Sequence, residues 1–137
     1  MSQKIIYTKH IGPWISFAAH QSIIRINGIP YSYADIQDFH FVEETERIRV
    51  YDYLKVFAAE QANKYVKSNQ EEDLTKEVLG LKKLQIIFDL KDGQSITVDF
   101  IKDVENEIVV DSHQYHFYKD AFLDAKKSLA IMQRKFK

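Results

Sequence analysis

Two spacings of apolar residues organise this chain. In LQIIFDL, Leu84, Ile86, Phe88 and Leu90 lie two apart, and SITVDFI answers with Ile96, Val98 and Phe100 across Lys91-Asp92-Gly93. A period of two puts each set on one face of a strand, so the segment predicts an antiparallel hairpin with one buried face. EIVV, ending at Val110, predicts a short further strand. The first third carries three more short apolar runs, WISFAA, SIIRI and IPYSY. Asn27-Gly28 divides the second from the third and predicts a type I′ turn, whose two central positions both need φ > 0. Pro30 has no N–H to give, so its strand is expected at an edge or facing outward. Ala34-Asp35 interrupts the pattern, and Ile36–Val42 predicts another strand with Phe39 and Phe41 on one face.

At the C-terminus the spacing changes to steps of three and four. Tyr118, Phe122, Ala125, Leu129, Met132 and Phe136 form one apolar stripe, the mark of an amphipathic helix. Asp111 or Ser112 can cap its start. Lys126, Lys127, Arg134, Lys135 and Lys137 gather toward its end, where positive charge complements the helix dipole. The helix is expected across an open end or face of the β structure, because nothing else in the chain could cover the stripe.

The middle supports both periods. Arg47–Tyr51 is open to strand or helix, while from about Tyr53 the run FAAEQANKY favours helix. Leu54, Phe57, Ala58 and Tyr65 would then face the core, leaving Tyr51 and Tyr53 exposed. Ser68 and Glu71 match a capping box, and EEDLTKEVLG predicts a second short helix stopped by Gly80. The expected element is a helical insertion over about 53–80.

This order of elements resembles small bacterial domains of the pleckstrin-homology (PH) type. INGIPYSYADIQDFHFVEE resembles their second and third strand region, and LQIIFDLKDGQSITVDFI with DSHQYHFYKDAFLDAKKSLAIM resembles their final hairpin and helix, including a Ser (Ser112) three residues before a Tyr (Tyr115). The resemblance covers about two-thirds of the chain; the segment 53–80 departs from it. It implies an α+β fold, a PH-like bent antiparallel sheet or barrel capped by a C-terminal helix, and it implies no activity.

Composition narrows the function. The 137 residues fit one domain, 1–137, and 45% hydrophobic with 28% charged residues is ordinary for a folded chain. No cysteine is present, so disulfides and thiolate chemistry are excluded, which is compatible with a cytoplasmic location. A formal charge of -1 gives no global field for nucleic acid or an anionic membrane. No apolar run reaches the ~18 residues of a membrane span. Gly12-Pro13 and Ser16 interrupt the first apolar run, which reads as a strand and not as a signal peptide.

Candidate chemistry is sparse. His113 and His116, three apart, could supply two metal ligands of a small metal-dependent enzyme, with Asp111 or Asp120 as a third, but the plainer reading is two histidines at a helix start. His10, His20 and His40 could be combined with Ser16 or Ser22, yet no nucleophile turn exists. Glu43, Glu44 and Glu46, and Asp103, Glu105 and Glu107, lack the Gly turn of a calcium loop and read as solvated hairpin loops. No glycine spacing fits a phosphate loop. The basic tail lacks interleaved aromatics and reads as a solvated helix end. The expectation is therefore a protein that is not an enzyme and holds no metal or cofactor.

Two binding readings are left. Headgroup binding would need cations around the first hairpin loops, but Met1–Glu46 contains Lys4, Lys9 and Arg25 against Asp35, Asp38, Glu43, Glu44 and Glu46. Anionic lipid is therefore the alternative. The preferred reading is a protein partner or self-association, with Tyr51, Tyr53, Phe57 and Tyr65 as the interaction surface, because Tyr is favoured at interfaces.

Overall fold

In the computed structural model, which describes residues 4–63 and 74–135, the runs of the first third form a four-stranded antiparallel meander. Its strands β1 (Lys9–Ile11), β2 (Ile15–Ala18), β3 (Ile23–Ile26) and β4 (Ile29–Ser32) lie in chain order. Asn27 and Gly28 have φ of 52° and 84°, the left-handed pair that a type I′ turn requires. Pro30 lies on β4, an outer strand of the sheet, as expected. Strand β1 has no counterpart in the sequence reading. Gly12-Pro13, read as an interruption, is the turn that folds β1 onto β2. Gly12 has φ of 50°, and a Cβ there would stand 2.6 Å from the Trp14 ring.

The second antiparallel sheet is built on two long strands. β5 (Ile36–Tyr51) and β6 (Thr75–Leu90) each have 16 residues and pair along their length, from Ile36 opposite Leu90 to Tyr51 opposite Thr75. β7 (Ser95–Asp99) and the short β8 (Ile108–Val109) pair with the far edge of β6. Leu84, Ile86 and Phe88 are fully buried, with Val98 and Phe100 against them, so the predicted hairpin and its buried face are present.

The expected insertion over 53–80 needs correction. Of its described residues, only α1 (Tyr53–Asn63) is helical. Thr75–Gly80, read as a helix stopped by glycine, is the first part of β6, and Gly80 is a mid-strand residue. The capping box at Ser68 and Glu71 lies outside the described residues. The strand expected to end at Val42 continues to Tyr51, so Glu43, Glu44 and Glu46 lie on a strand and not in a loop. Opposite Glu44 and Thr45 the partners jump from Lys83 to Leu81, so Lys82 is an extra residue on β6 and breaks that strand's alternation. A bulge of this kind masks a long strand in the sequence, because the face on which apolar residues fall changes partway.

The last element is α2 (His113–Lys135). The Tyr115 N–H donates to Ser112 Oγ at 3.2 Å, so Ser112 is its N-cap. Phe122, Ala125, Leu129 and Met132 are buried in one core with Ile15, Ile24 and Ile26 of the first sheet and Leu84, Ile86 and Phe88 of the second. The predicted stripe thus closes the core of both sheets; Phe136, its last member, lies outside the described residues. Glu43 fastens the helix to β5: it accepts from the Tyr115 hydroxyl at 3.4 Å and pairs with Lys119.

Candidate interaction surface

β5 and β6 run beyond the strands that flank them. β7 pairs with Gln85–Asp89 and β8 with Gly80 and Leu81, so among the described residues Thr75–Val78 share a ladder with β5 alone. This two-stranded arm ends at Asp52, which organises its tip. Its N–H donates to Leu74 O at 2.9 Å. Its Oδ1 accepts from the N–H groups of Leu54 and Lys55 at 3.1 and 3.4 Å, which caps α1. The Lys55 ammonium returns to Thr75 O at 3.0 Å. Polar contacts therefore tie α1 to the arm.

Its apolar side chains point elsewhere. Tyr53 and Leu54 are 83% and 81% exposed, Tyr51 and Phe57 69% and 61%, and Leu79 on β6 49%. The structure thus places Tyr51, Tyr53 and Phe57 of the predicted surface at one end of the arm, all in solvent; Tyr65 lies outside the described residues. Leu54, Phe57 and Ala58 were expected to face the core and do not. The segment is helical as expected, but polar contacts at Asp52 and Lys55 hold it and these side chains stand in solvent. Leu79 was missed because it was assigned to a helix, although its place two residues before Leu81 on a strand carries the signal.

The other sequence candidates are dispersed. His113 and His116 are exposed at the start of α2, and His116 Nε2 lies 3.9 Å from Asp111 Oδ1. Among the described residues no three His, Asp or Glu side chains gather as metal ligands would. His40 is exposed on β5, 3.7 Å from Asp89. His10 and Ser16 do meet. They are directly opposite across β1 and β2, with His10 Nδ1 2.9 Å from Ser16 Oγ, and Arg25, opposite Ser16 on β3, donates to the same oxygen at 3.2 Å. Ser16 is only 2% exposed, so its oxygen is enclosed by this cross-strand row. The basic side of α2 is partly packed and not wholly solvated: Lys126 lies 4.8 Å from the Phe41 ring centroid and 5.3 Å from that of Phe122. Burial pushes the Tyr115 phenol up; the Lys119 ammonium pulls the other way, and Glu43 adds to the rise.

No family model matches the chain, and no curated protein or solved structure is significantly similar to it. No described helix is long and apolar enough to cross a membrane.

Proposed function

We propose that the protein is a non-catalytic interaction module on a PH-like frame, which engages a protein partner, or a second copy of itself, through the arm and α1. The observation that carries this reading is the exposure of four large apolar side chains, Tyr51, Tyr53, Leu54 and Phe57, at the end of one two-stranded arm and on its helix. Aromatic and aliphatic side chains grouped in solvent mark interaction surfaces, since burying them yields roughly 25 cal/mol per Å². The order of elements supports the PH-like frame: a four-stranded meander, a second antiparallel sheet, and a C-terminal helix over the shared core.

A lipid headgroup is less well served. Arg25, which precedes the Asn27-Gly28 turn on β3, is occupied by the Tyr7 ring at 4.5 Å and by Ser16. The test is a double substitution, Leu54→Glu with Phe57→Glu. Sedimentation equilibrium reads self-association, and affinity capture from cells of the source organism reads partners. Loss of the dimer or of a captured partner, with an unchanged melting temperature, supports the reading. A wild-type protein that stays monomeric and captures nothing, or whose partners are untouched by the substitutions, sinks it.

A further inference from the structure

We propose that the end of the fold where α2 finishes is a binding site for a medium-chain carboxylate, an apolar chain with one anionic head. Two cavities lie there, of about 310 Å³ and 130 Å³, and Tyr33 and Met132 line both. The larger is framed by the turn at Tyr33–Asp35, the first residues of β5, Lys91 after β6 and the last turns of α2. Its size falls at the lower end of the roughly 300–1,000 Å³ typical of ligand sites, which selects a small molecule.

The lining selects its chemistry. Phe39 and Met132 offer an apolar wall, while Gln37, Lys91 and Gln133 are the polar groups. The smaller cavity continues that wall with Phe17 and Ile131, and it has Lys9 and Lys135 beside it. Among the described residues, three lysines, Lys9, Lys91 and Lys135, and no Asp or Glu line the pair of cavities. Lys9 is engaged by Asp124 at 2.8 Å, whereas Lys91 makes no ion pair among the described residues. The Lys91 N–H donates to Asp35 O at 3.0 Å, which holds the base of the side chain at the cavity. Two of the neighbouring acids accept local N–H groups, Asp38 from Phe39 at 2.8 Å and Asp92 from Gln94 at 2.9 Å, while Asp35 is exposed beside the cavity. A carboxylate head is therefore received by the Lys91 ammonium, with the Gln37 and Gln133 amides as further donors. The chain lies along Phe39 and Met132 in the larger cavity.

Decanoate titrated into the isotopically labelled full-length protein tests this, read by amide chemical shifts. Saturable shifts are expected at Ala34, Gln37, Lys91 and Gln133. Lys91→Glu is expected to keep the melting temperature and to weaken binding about tenfold or more, the weight of one charge-assisted hydrogen bond. Decanol, which lacks the charge, is expected to bind about tenfold more weakly than decanoate for the same reason. Shifts confined to α1 and the arm, no shifts at all, or equal binding by decanol or by the Lys91→Glu protein would overturn the proposal. Phosphatidylglycerol vesicles form the last arm. Co-sedimentation with them that is lost in Lys91→Glu would assign the site to a membrane lipid and overturn the free-carboxylate reading; no co-sedimentation supports it.

Discussion

A Cβ on Gly80 would stand 2.6 Å from Ile48 Cδ1 and 3.1 Å from its Cγ1, so these two residues share one space on the β5–β6 ribbon. Ile48 is opposite Val78 and Gly80 is opposite Glu46, which makes Ile48 and Gly80 diagonal neighbours on one face. The absent side chain lets Ile48 lie across the ribbon. Ile48 is only 8% exposed, on a ribbon where Tyr51 and Leu79 stand in solvent. A glycine inside a strand marks this kind of close approach.

Gly80→Ala is therefore expected to destabilise the protein by about 1–3 kcal/mol, the usual cost of overpacking. Shortening Ile48 to Ala should relieve the clash. In a double-mutant cycle by urea unfolding, the two changes are expected to couple by about 0.5–3 kcal/mol. Strict additivity would show that they do not share the space.

The stripe of α2 gives a larger effect. Leu129 is fully buried between the sheets, so Leu129→Ala is expected to cost about 2–5 kcal/mol. Lys127, exposed on the same helix, is a control, and Lys127→Ala is expected to stay within about 0.5 kcal/mol. Equal effects, measured by chemical denaturation, would mean that α2 does not close the core.

Alkaline pH tests Tyr33. Burial raises its phenol above the usual 10.0. The folded state then holds the proton more tightly than the unfolded chain, so this contribution to stability is complete below pH 10 and is lost as pH rises through the folded value. Between about pH 9 and 11 the wild type is expected to lose stability more steeply than Tyr33→Phe, around the phenol's normal pKa of about 10. Parallel stability curves over that window would refute the shift.

Where the sequence was readable, local pattern and tertiary use agreed. Leu84, Ile86, Phe88 and Leu90 alternate and are buried. Asn27-Gly28 carries its own turn geometry, and Ser112 sits where a cap must sit. The rest was not legible for three physical reasons. The bulge at Lys82 changes which positions of β6 face inward. Gly80, a helix stop by propensity, serves a contact with a strand 32 positions away, between 48 and 80, which no local window contains. β1 has three residues, too few for a period to register. The His10–Ser16 contact likewise follows from the register of β1 on β2, and that pairing depends on seeing Gly12-Pro13 as a turn.

Helix α1 offers the sharpest test of the corrected reading, because periodicity and structure predict opposite outcomes for the same substitutions. By its spacing, Leu54 and Phe57 would be core residues, and truncating either would cost about 2–5 kcal/mol. In the structure they are 81% and 61% exposed, and the helix is held by its backbone cap at Asp52 and by Lys55. Leu54→Ser and Phe57→Ser are therefore expected to change stability by no more than about 0.5 kcal/mol each, as exposed positions do. Asp52→Ala, by contrast, removes the acceptor for the first turn and is expected to cost about 0.5–2 kcal/mol of helix stability. That loss is local, so hydrogen exchange at the amides of α1 should report it more clearly than the global melt. If Leu54→Ser unfolds the protein while Asp52→Ala leaves α1 protected, the helix is packed after all, and its apolar face is not free for a partner.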